Sequence, residues 1–388
     1  MNKNKILGFI QKNTMVIVLV LVTLFFFFGT SGKLLQPNNI TSIIAQNAYV
    51  FVLASGMLLC ILTGGNIDLS VGSVLCFTGA IGAVLMDKGT NVIVTVLVML
   101  IVGALIGAWQ AFWIAYVKVP PFITTLSGML AFRGLSNVVL KGQTIPVKNE
   151  AFVKAFGGGA DCYIPDFFGG TTLNILCLVV GILGTVAFLF FTFRNRNTRI
   201  KANQVVDALP KFLAKTIVIA VAILFFTLKL AQYKGLPMSL IWVAIVVAIY
   251  TYITSKTTIG RHLYAVGGNE VATRLSGIDT RKVYFFAYTN MGFIAGLAGI
   301  LTIARLTSAA PSYGQNYEMD AIGSCFIGGA SAYGGVGTVP GVIVGALLMG
   351  VINIGMSIMG IDVNYQKVVK GLVLLAAVVF DVISKKKK

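Results

Sequence analysis

The chain is poor in charge: only 11% of its 388 residues are Asp, Glu, Lys or Arg, where a globular chain carries about 25%. Apolar residues make up 57%, and mean hydropathy is +0.90. A soluble core of this size does not need so much apolar surface, and a disordered chain has far less of it. Histidine occurs once, at His262. A His-based metal site therefore cannot be assembled, and a Ser/His/Asp triad would have to recruit that single residue. Cys60, Cys76, Cys162, Cys177 and Cys325 contain no C-x-x-C pair, and four of them sit in apolar runs, so they read as small packing residues. The 43 glycines keep no fixed period, which excludes a collagen-like repeat. No glycine-rich loop closed by Lys-Ser or Lys-Thr is present to cradle nucleotide phosphates.

Long apolar runs fill the chain instead. With about 20 residues needed to cross a bilayer, strong runs lie near residues 14–31, 41–63, 91–117, 171–193, 212–232, 237–255, 283–305, 341–359 and 366–383. Weaker Gly-rich or Pro-led runs near 70–86, 121–141 and 317–333 are short spans or re-entrant halves. The fold class expected is an all-α polytopic membrane protein with about 10–12 transmembrane or re-entrant helices and Gly/Pro-broken segments. Lys3, Lys5 and Lys12 precede the first run without a small-residue cleavage pattern, so it reads as an uncleaved span. The organisation expected is one transmembrane domain over 1–388, with a basic loop and extra run at 194–235 and a polar loop at 256–282.

Acidic residues are scarcer than basic ones, 12 against 30, for a net charge of +18. The two termini and the loops 194–216 and 256–282 share one side if all twelve segments cross. Together they hold 18 of the Lys and Arg and 4 of the acids. Cytoplasmic loops collect cations, so both termini and these loops are expected in the cytoplasm. The opposite face carries the loop 142–170, where Lys148 and Lys154 are balanced by Glu150, Asp161 and Asp166. Nucleic acid is not an expected partner, because the cations are scattered over loop ends without a basic stripe or aromatic platform.

Three polar interruptions stand out. In Gly64-Gly65-Asn66-Ile67-Asp68-Leu69-Ser70, paired glycines can end a helix and Asp68 or Ser70 can cap the next one. This is either a helix break facing a cavity or a tight turn with Asp68 at the water interface. In the second, Pro120-Pro121 stops one helix and starts another, and Arg133 then sits in an apolar segment, beside a hydrated route or as an inter-helix partner. In the third, Gly267-Gly268 breaks a helix, Asn269 caps, and Glu270 to Ser276 forms a short amphipathic helix closed by Gly277. That knob suits docking to a soluble partner, or is a solvated linker.

These residues, in this order, resemble the permease subunits of monosaccharide-importing ABC transporters. The likeness runs through 64–73, Pro120 to Leu126, Gly260 to Ile278, Ala295 to Gly299, Tyr317 to Ile322 and Gly328 to Val339, nearly the whole chain. The extra run at 194–235 and Asn66 between Gly65 and Ile67 are similar to the xylose and multiple-monosaccharide subgroup. The resemblance implies a non-enzymatic translocation subunit in a bacterial cell membrane that imports a sugar such as xylose, galactose, glucose or arabinose. It implies a separate ATP-binding subunit carrying ATP and Mg, with no cofactor or metal in this chain. The other implied partners are an extracytoplasmic sugar-binding protein, a second copy of the permease and membrane lipid. Gly268, Asn269, Glu270, Ala272, Arg274 and Gly277 would form the helix that couples to the ATPase. A hydroxyl-rich solute needs polar groups that bind weakly, and Asn66, Asp68, Ser70, Thr125 and Asn137 are the candidates for its path. Glu318 and Asp320 form a further acidic pair, explained equally by placement at a helix N-terminus. The competing expectations are an ABC permease for nucleosides or branched-chain amino acids, and an ion-coupled carrier using Asp68, Arg133, Glu318 and Asp320.

Overall fold

The computed structural model describes residues 3–157, 162–170, 172–206 and 208–386, with side chains from residue 15 onward except at 380 and beyond 382. Asp161, Asp207 and the terminal lysines counted above lie outside the described side chains. In chain order the helices are α1 Lys3–Gly29, α2 Pro37–Gln46, α3 Ala48–Leu62, α4 Val71–Asp87, α5 Val92–Phe112, α6 Pro121–Leu140, α7 Glu150–Phe156 and α8 Ile175–Lys201. They continue with α9 Leu209–Ala231, α10 Met238–Lys256, α11 Thr258–Gly268, α12 Glu270–Leu275, α13 Thr280–Leu306, α14 Tyr317–Ile327, α15 Val339–Ile358 and α16 Val363–Lys386. The one sheet among the described residues is a two-residue antiparallel pair, β1 Ile145–Pro146 with β2 Ser308–Ala309.

Among the described residues seven helices are long and apolar enough to cross a bilayer, α5 with its continuation to Val117, α6, α8, α9, α10, α13 and α15, and α2 with α3 would make an eighth. The all-α polytopic class is thereby established. Two weak runs resolve differently. Residues 121–141 form the full-length α6, whereas the 317–333 run holds only the 11-residue α14. At 1.5 Å per residue α14 reaches roughly 16 Å, half the hydrocarbon thickness, so it is not a span.

Local chemistry sets many helix ends. Asn91 caps α5 by accepting from the Ile93 amide at 2.8 Å, and Asn174 caps α8 by accepting from Cys177 at 2.8 Å. Thr338 caps α15 through the Gly341 amide at 3.2 Å. Pro121 opens α6, a position whose amide has no intrahelical partner.

The chain forms two compact units, one of residues 1–34, 43–162 and 238–388 and one of residues 35–42 and 163–237. In the first, α3 is buried along its whole length and α13 along most of its own. Helices α5 and α13 meet through small residues at four-residue spacing, Gly103 and Gly107 against Gly292 and Gly296. A methyl at Gly103 would stand 2.5 Å from the Gly292 carbonyl oxygen, so only glycine allows this approach. In the second unit α8 and α9 form a hairpin, with the Cys177 thiol 3.6 Å from the Thr227 carbonyl and Phe193 edge-on to Phe212 at 5.3 Å. All five cysteines are buried and none is joined in a disulfide, in line with small packing residues.

Candidate translocation and coupling site

Helix α3 ends at the paired glycines. Thr63 closes it by donating to the Cys60 carbonyl at 2.7 Å, and Gly64 and Gly65 follow with φ of +120° and +76°. Residues with a Cβ rarely enter that region. Gly65 has a second constraint, because a Cβ there would lie 1.9 Å from the Ala332 carbonyl oxygen. The loop 330–337 is thus seated directly on the break.

Between the break and α4, Asp68 is buried at 2% exposure, which removes the reading of a turn with its carboxylate at a water interface. Its Oδ1 accepts from the Ser70 amide at 2.8 Å and the Ser70 hydroxyl at 2.6 Å. Ser70 occupies the N-cap position of α4 but makes no side-chain cap bond. Asp68 therefore organises the entry turn and Ser70 is its donor, so neither side chain bonds the helix amides as a cap would. Gln110 of α5 donates from Nε2 to the Ser70 oxygen at 2.8 Å. Gly128 of α6 closes over this pair, since a Cβ there would stand 2.4 Å from Gln110 Nε2. Thr125, one turn earlier on α6, is fully buried. Asn66 turns back to the Thr63 carbonyl at 3.2 Å. The cluster is therefore Asp68, Ser70 and Gln110, with Thr125 on the buried face of the same α6. Asn137 is exposed on α6 and is not brought to it. Gln110 was invisible in the sequence as a lone amide in an apolar run; its intramembrane polarity was the one available signal.

Arg133 and Asp320 are closed by protein partners. Arg133 Nη1 donates to the carbonyls of Pro311 at 3.1 Å and Tyr313 at 2.6 Å, the inter-element role. Asp320 accepts from the Tyr49 hydroxyl at 2.7 Å and lies 3.0 Å from Lys370 Nζ on α16. Glu318 and Asp320 both fall in the first turn of α14 and are buried.

The loop 256–282 forms two helices. Gly267 and Gly268 complete α11 instead of breaking it, and the break falls at Asn269, whose backbone is extended at φ −163° and ψ 104°. A Cβ at Gly267 would meet the Leu62 carbonyl oxygen at 1.8 Å, so the glycine is there for close approach to the end of α3. Asn269 Oδ1 accepts from the Ala272 amide at 2.9 Å, and Gly277 ends the motif at φ +89°. Asp279 then caps α13. Its side-chain bond from Arg281, at 3.2 Å from Nε, together with the Arg281 amide at 3.1 Å, holds its carboxyl below the usual carboxylate range.

Glu270, like the buried Thr273, lies off the outer face of α12. It accepts from Thr280 Oγ1 at 3.1 Å, lies 3.0 Å from the Tyr284 hydroxyl and stands 3.7 Å from Lys118 Nζ. The same Tyr284 hydroxyl is 2.9 Å from the Thr63 carbonyl oxygen. Above it, the Leu62 carbonyl accepts from the Gly335 amide at 3.1 Å, and Tyr264 of α11 donates to the Gly337 carbonyl at 2.7 Å. The α11–α12 segment is thus linked to the end of α3, where the polar break begins, through Tyr284 and the 330–337 loop. The outer face of α12 consists of Val271, Ala272, Arg274 and Leu275, with Val271 59% and Leu275 81% exposed. The two apolar residues were missed in the sequence, although their spacing of four on one short helix is the signal that could have found them.

The chain is 35% identical to the xylose transport system permease protein XylH of Haemophilus influenzae, over 97% of this chain and 98% of that protein. It is 33% identical to XylH of Escherichia coli K12 over 97% and 93%, and 32% identical to the ribose import permease protein RbsC of the same organism over 96% and 93%. No solved structure matches. The motif resemblance and the whole-length identity agree, and residues 39–378 match the family described as branched-chain amino acid transport system / permease component, so the chain belongs to that family of multi-pass membrane permeases.

Proposed function

We propose that this chain is the membrane-spanning subunit of an ATP-driven importer of a monosaccharide, xylose or a sugar of similar size. Relatives at 32–35% identity over nearly their whole length are named for xylose transport and ribose import, which supports a sugar over the amino acid in the family description or a nucleoside. ATP and Mg sit on a separate ATP-binding subunit, a second copy of this chain completes the path, an extracytoplasmic sugar-binding protein delivers the solute, and lipid surrounds the apolar helices. The termini and the loop 256–282 face the cytoplasm, in line with their cation excess.

One observation carries the mechanism: a single hydroxyl, that of Tyr284, stands within hydrogen-bond distance of Glu270 on α12 and of Thr63 at the end of α3. It has one proton and two acceptors. A shift of α12 driven by the ATPase changes which acceptor it serves, and so acts on the residues leading to Asp68. Asn269 and Gly277 shape the docked helix, Gly268 is exposed beside it, and Ala272 and Arg274 present its surface. Asn66 is half-buried at the break, and Asp68, Ser70 and Thr125 are buried behind it, reaching sugar hydroxyls once the motion of α12 opens the break. Asn137 joins the path where a second copy covers α6.

The test is co-reconstitution with the ATPase and binding protein in proteoliposomes, following uptake of xylose, ribose, galactose, leucine and a nucleoside. ATP-dependent uptake of a monosaccharide is expected. Uptake of leucine or the nucleoside alone, or ion-driven concentration by this chain without an ATPase, would overturn the reading. A cysteine at Ser276 should react with an impermeant reagent only in inside-out vesicles.

A further inference from the structure

We propose that the α8–α9 hairpin carries a binding site for one anionic glycerophospholipid at the polar end of α8. Helix α8 is longer than its membrane task requires. At 1.5 Å per residue, residues 175–193 reach roughly 28 Å, close to the ~30 Å hydrocarbon thickness. The helix then continues unbroken through Arg194-Asn195-Arg196-Asn197-Thr198-Arg199-Ile200-Lys201, two further turns whose length places them at the headgroup layer. Lys211 and Lys215 open α9 at the same end, where Phe212 packs edge-on against Phe193 and lies under the Arg196 guanidinium at 4.6 Å. Clusters of four to eight cations next to a span attract acidic lipids.

Charge alone would make a diffuse surface. Here it borders a groove of about 500 Å³ lined by Phe190, Phe193, Arg194, Asn197, Thr198 and Lys201, which all fall on one stripe of α8. The lining changes along that stripe in the order a phospholipid demands, with the two rings at the hydrocarbon end, then Arg194, then amide and hydroxyl, then Lys201. Arg194 and Lys201, like Arg199 and Lys215, have no acidic partner among the described residues. An acyl chain lies on the rings and the phosphate meets Arg194 and Lys201. A choline or ethanolamine headgroup would bring its own cation against these two, so the site selects net negative lipids. This assignment is independent of the solute transported.

The experiment is native mass spectrometry of the purified full-length chain titrated with phosphatidylglycerol and with phosphatidylcholine of the same acyl chains. Arg194→Gln with Lys201→Gln is compared with Arg199→Gln with Lys215→Gln, which removes equal charge from exposed positions outside the groove. Wild type should retain phosphatidylglycerol in preference, as a single stoichiometric adduct. The groove variant should bind it roughly 25-fold more weakly, at about 1 kcal/mol per cation and tenfold per 1.4 kcal/mol. The off-groove variant should change by less than threefold. Equal losses in both variants would mean a diffuse cationic surface only, and equal binding of both lipids by wild type would remove the selectivity; either overturns the site. Displacement of the lipid by millimolar inorganic phosphate, or loss of ATPase or RNA binding in place of lipid binding, would also overturn it.

Discussion

The hydroxyl of Tyr284 lies 3.0 Å from Glu270 Oε2 and joins the short helix α12 to the long buried helix α13 that carries the tyrosine. Glu270 is also held by Thr280 and, weakly, by the half-exposed Lys118. Tyr284→Phe removes the hydroxyl and leaves the ring and its packing. A hydrogen bond to a charged acceptor contributes about 1.5–3 kcal/mol, so the variant should insert and bind the ATPase normally while sugar-stimulated hydrolysis falls roughly tenfold or more. Unchanged stimulated hydrolysis and uptake, measured in proteoliposomes, would show that this contact does not transmit motion.

Asp68→Asn and Asp68→Leu separate hydrogen bonding from charge. Asparagine keeps an oxygen for the Ser70 amide and hydroxyl, whereas leucine leaves a buried donor unpaired at about 1–3 kcal/mol. Asn should retain uptake and a near-normal melting temperature, and Leu should lose both. If Asn abolishes transport in assembled complexes while Leu does no worse, the negative charge itself is needed.

Gly65 and Gly277 share positive φ but differ in surroundings. Nothing lies within 4 Å of a Cβ at Gly277, so Gly277→Ala carries only backbone strain, about 1 kcal/mol, with valine worse. Gly65→Ala drives its methyl into the Ala332 carbonyl and should prevent accumulation of folded protein. Thermal unfolding in detergent should rank Gly277→Ala, Gly277→Val and Gly65→Ala in that order of severity.

The outer face of α12 should dock the ATPase through Val271 and Leu275, with Arg274 as its charge. Val271→Ser with Leu275→Ser, and separately Arg274→Glu, should reduce co-purification of the ATPase by about tenfold while leaving the melting temperature within a degree or two, because these side chains are exposed. Full co-purification with both variants would return α12 to a solvated linker.

The Asp279 cap has a definite pH sign. Its folded pKa is depressed, so its contribution is present above the ordinary carboxylate value of about 3.9 and is lost as pH falls through the lower folded value. Wild type should therefore melt above Asp279→Asn at pH 5–8 by a constant margin. The margin should close on acidification below about pH 4, and a margin that widened there would contradict the assignment.

Much of this protein was written locally. Run lengths dictate an all-α membrane fold, because a bilayer leaves unpaired backbone no alternative to helices along such apolar stretches. Gly64-Gly65, Pro120-Pro121, Asn269 and Gly277 mark their breaks, because backbone angle and amide capping depend on a few adjacent residues. The side-chain directions were decided elsewhere. Glu270 turns toward Tyr284, Arg133 ends on the carbonyls of Pro311 and Tyr313, Asp320 pairs with Lys370, and Asn137 is left exposed. Each of these depends on which element packs against which face, across separations of up to 180 residues in the case of Arg133 and Tyr313. Periodicity along one helix says nothing of a neighbour so far away in the chain. The sequence determined where most helices start, stop and break, whereas only the tertiary structure decided that the segment behind Asn269 and the break before Asp68 meet at one tyrosine hydroxyl.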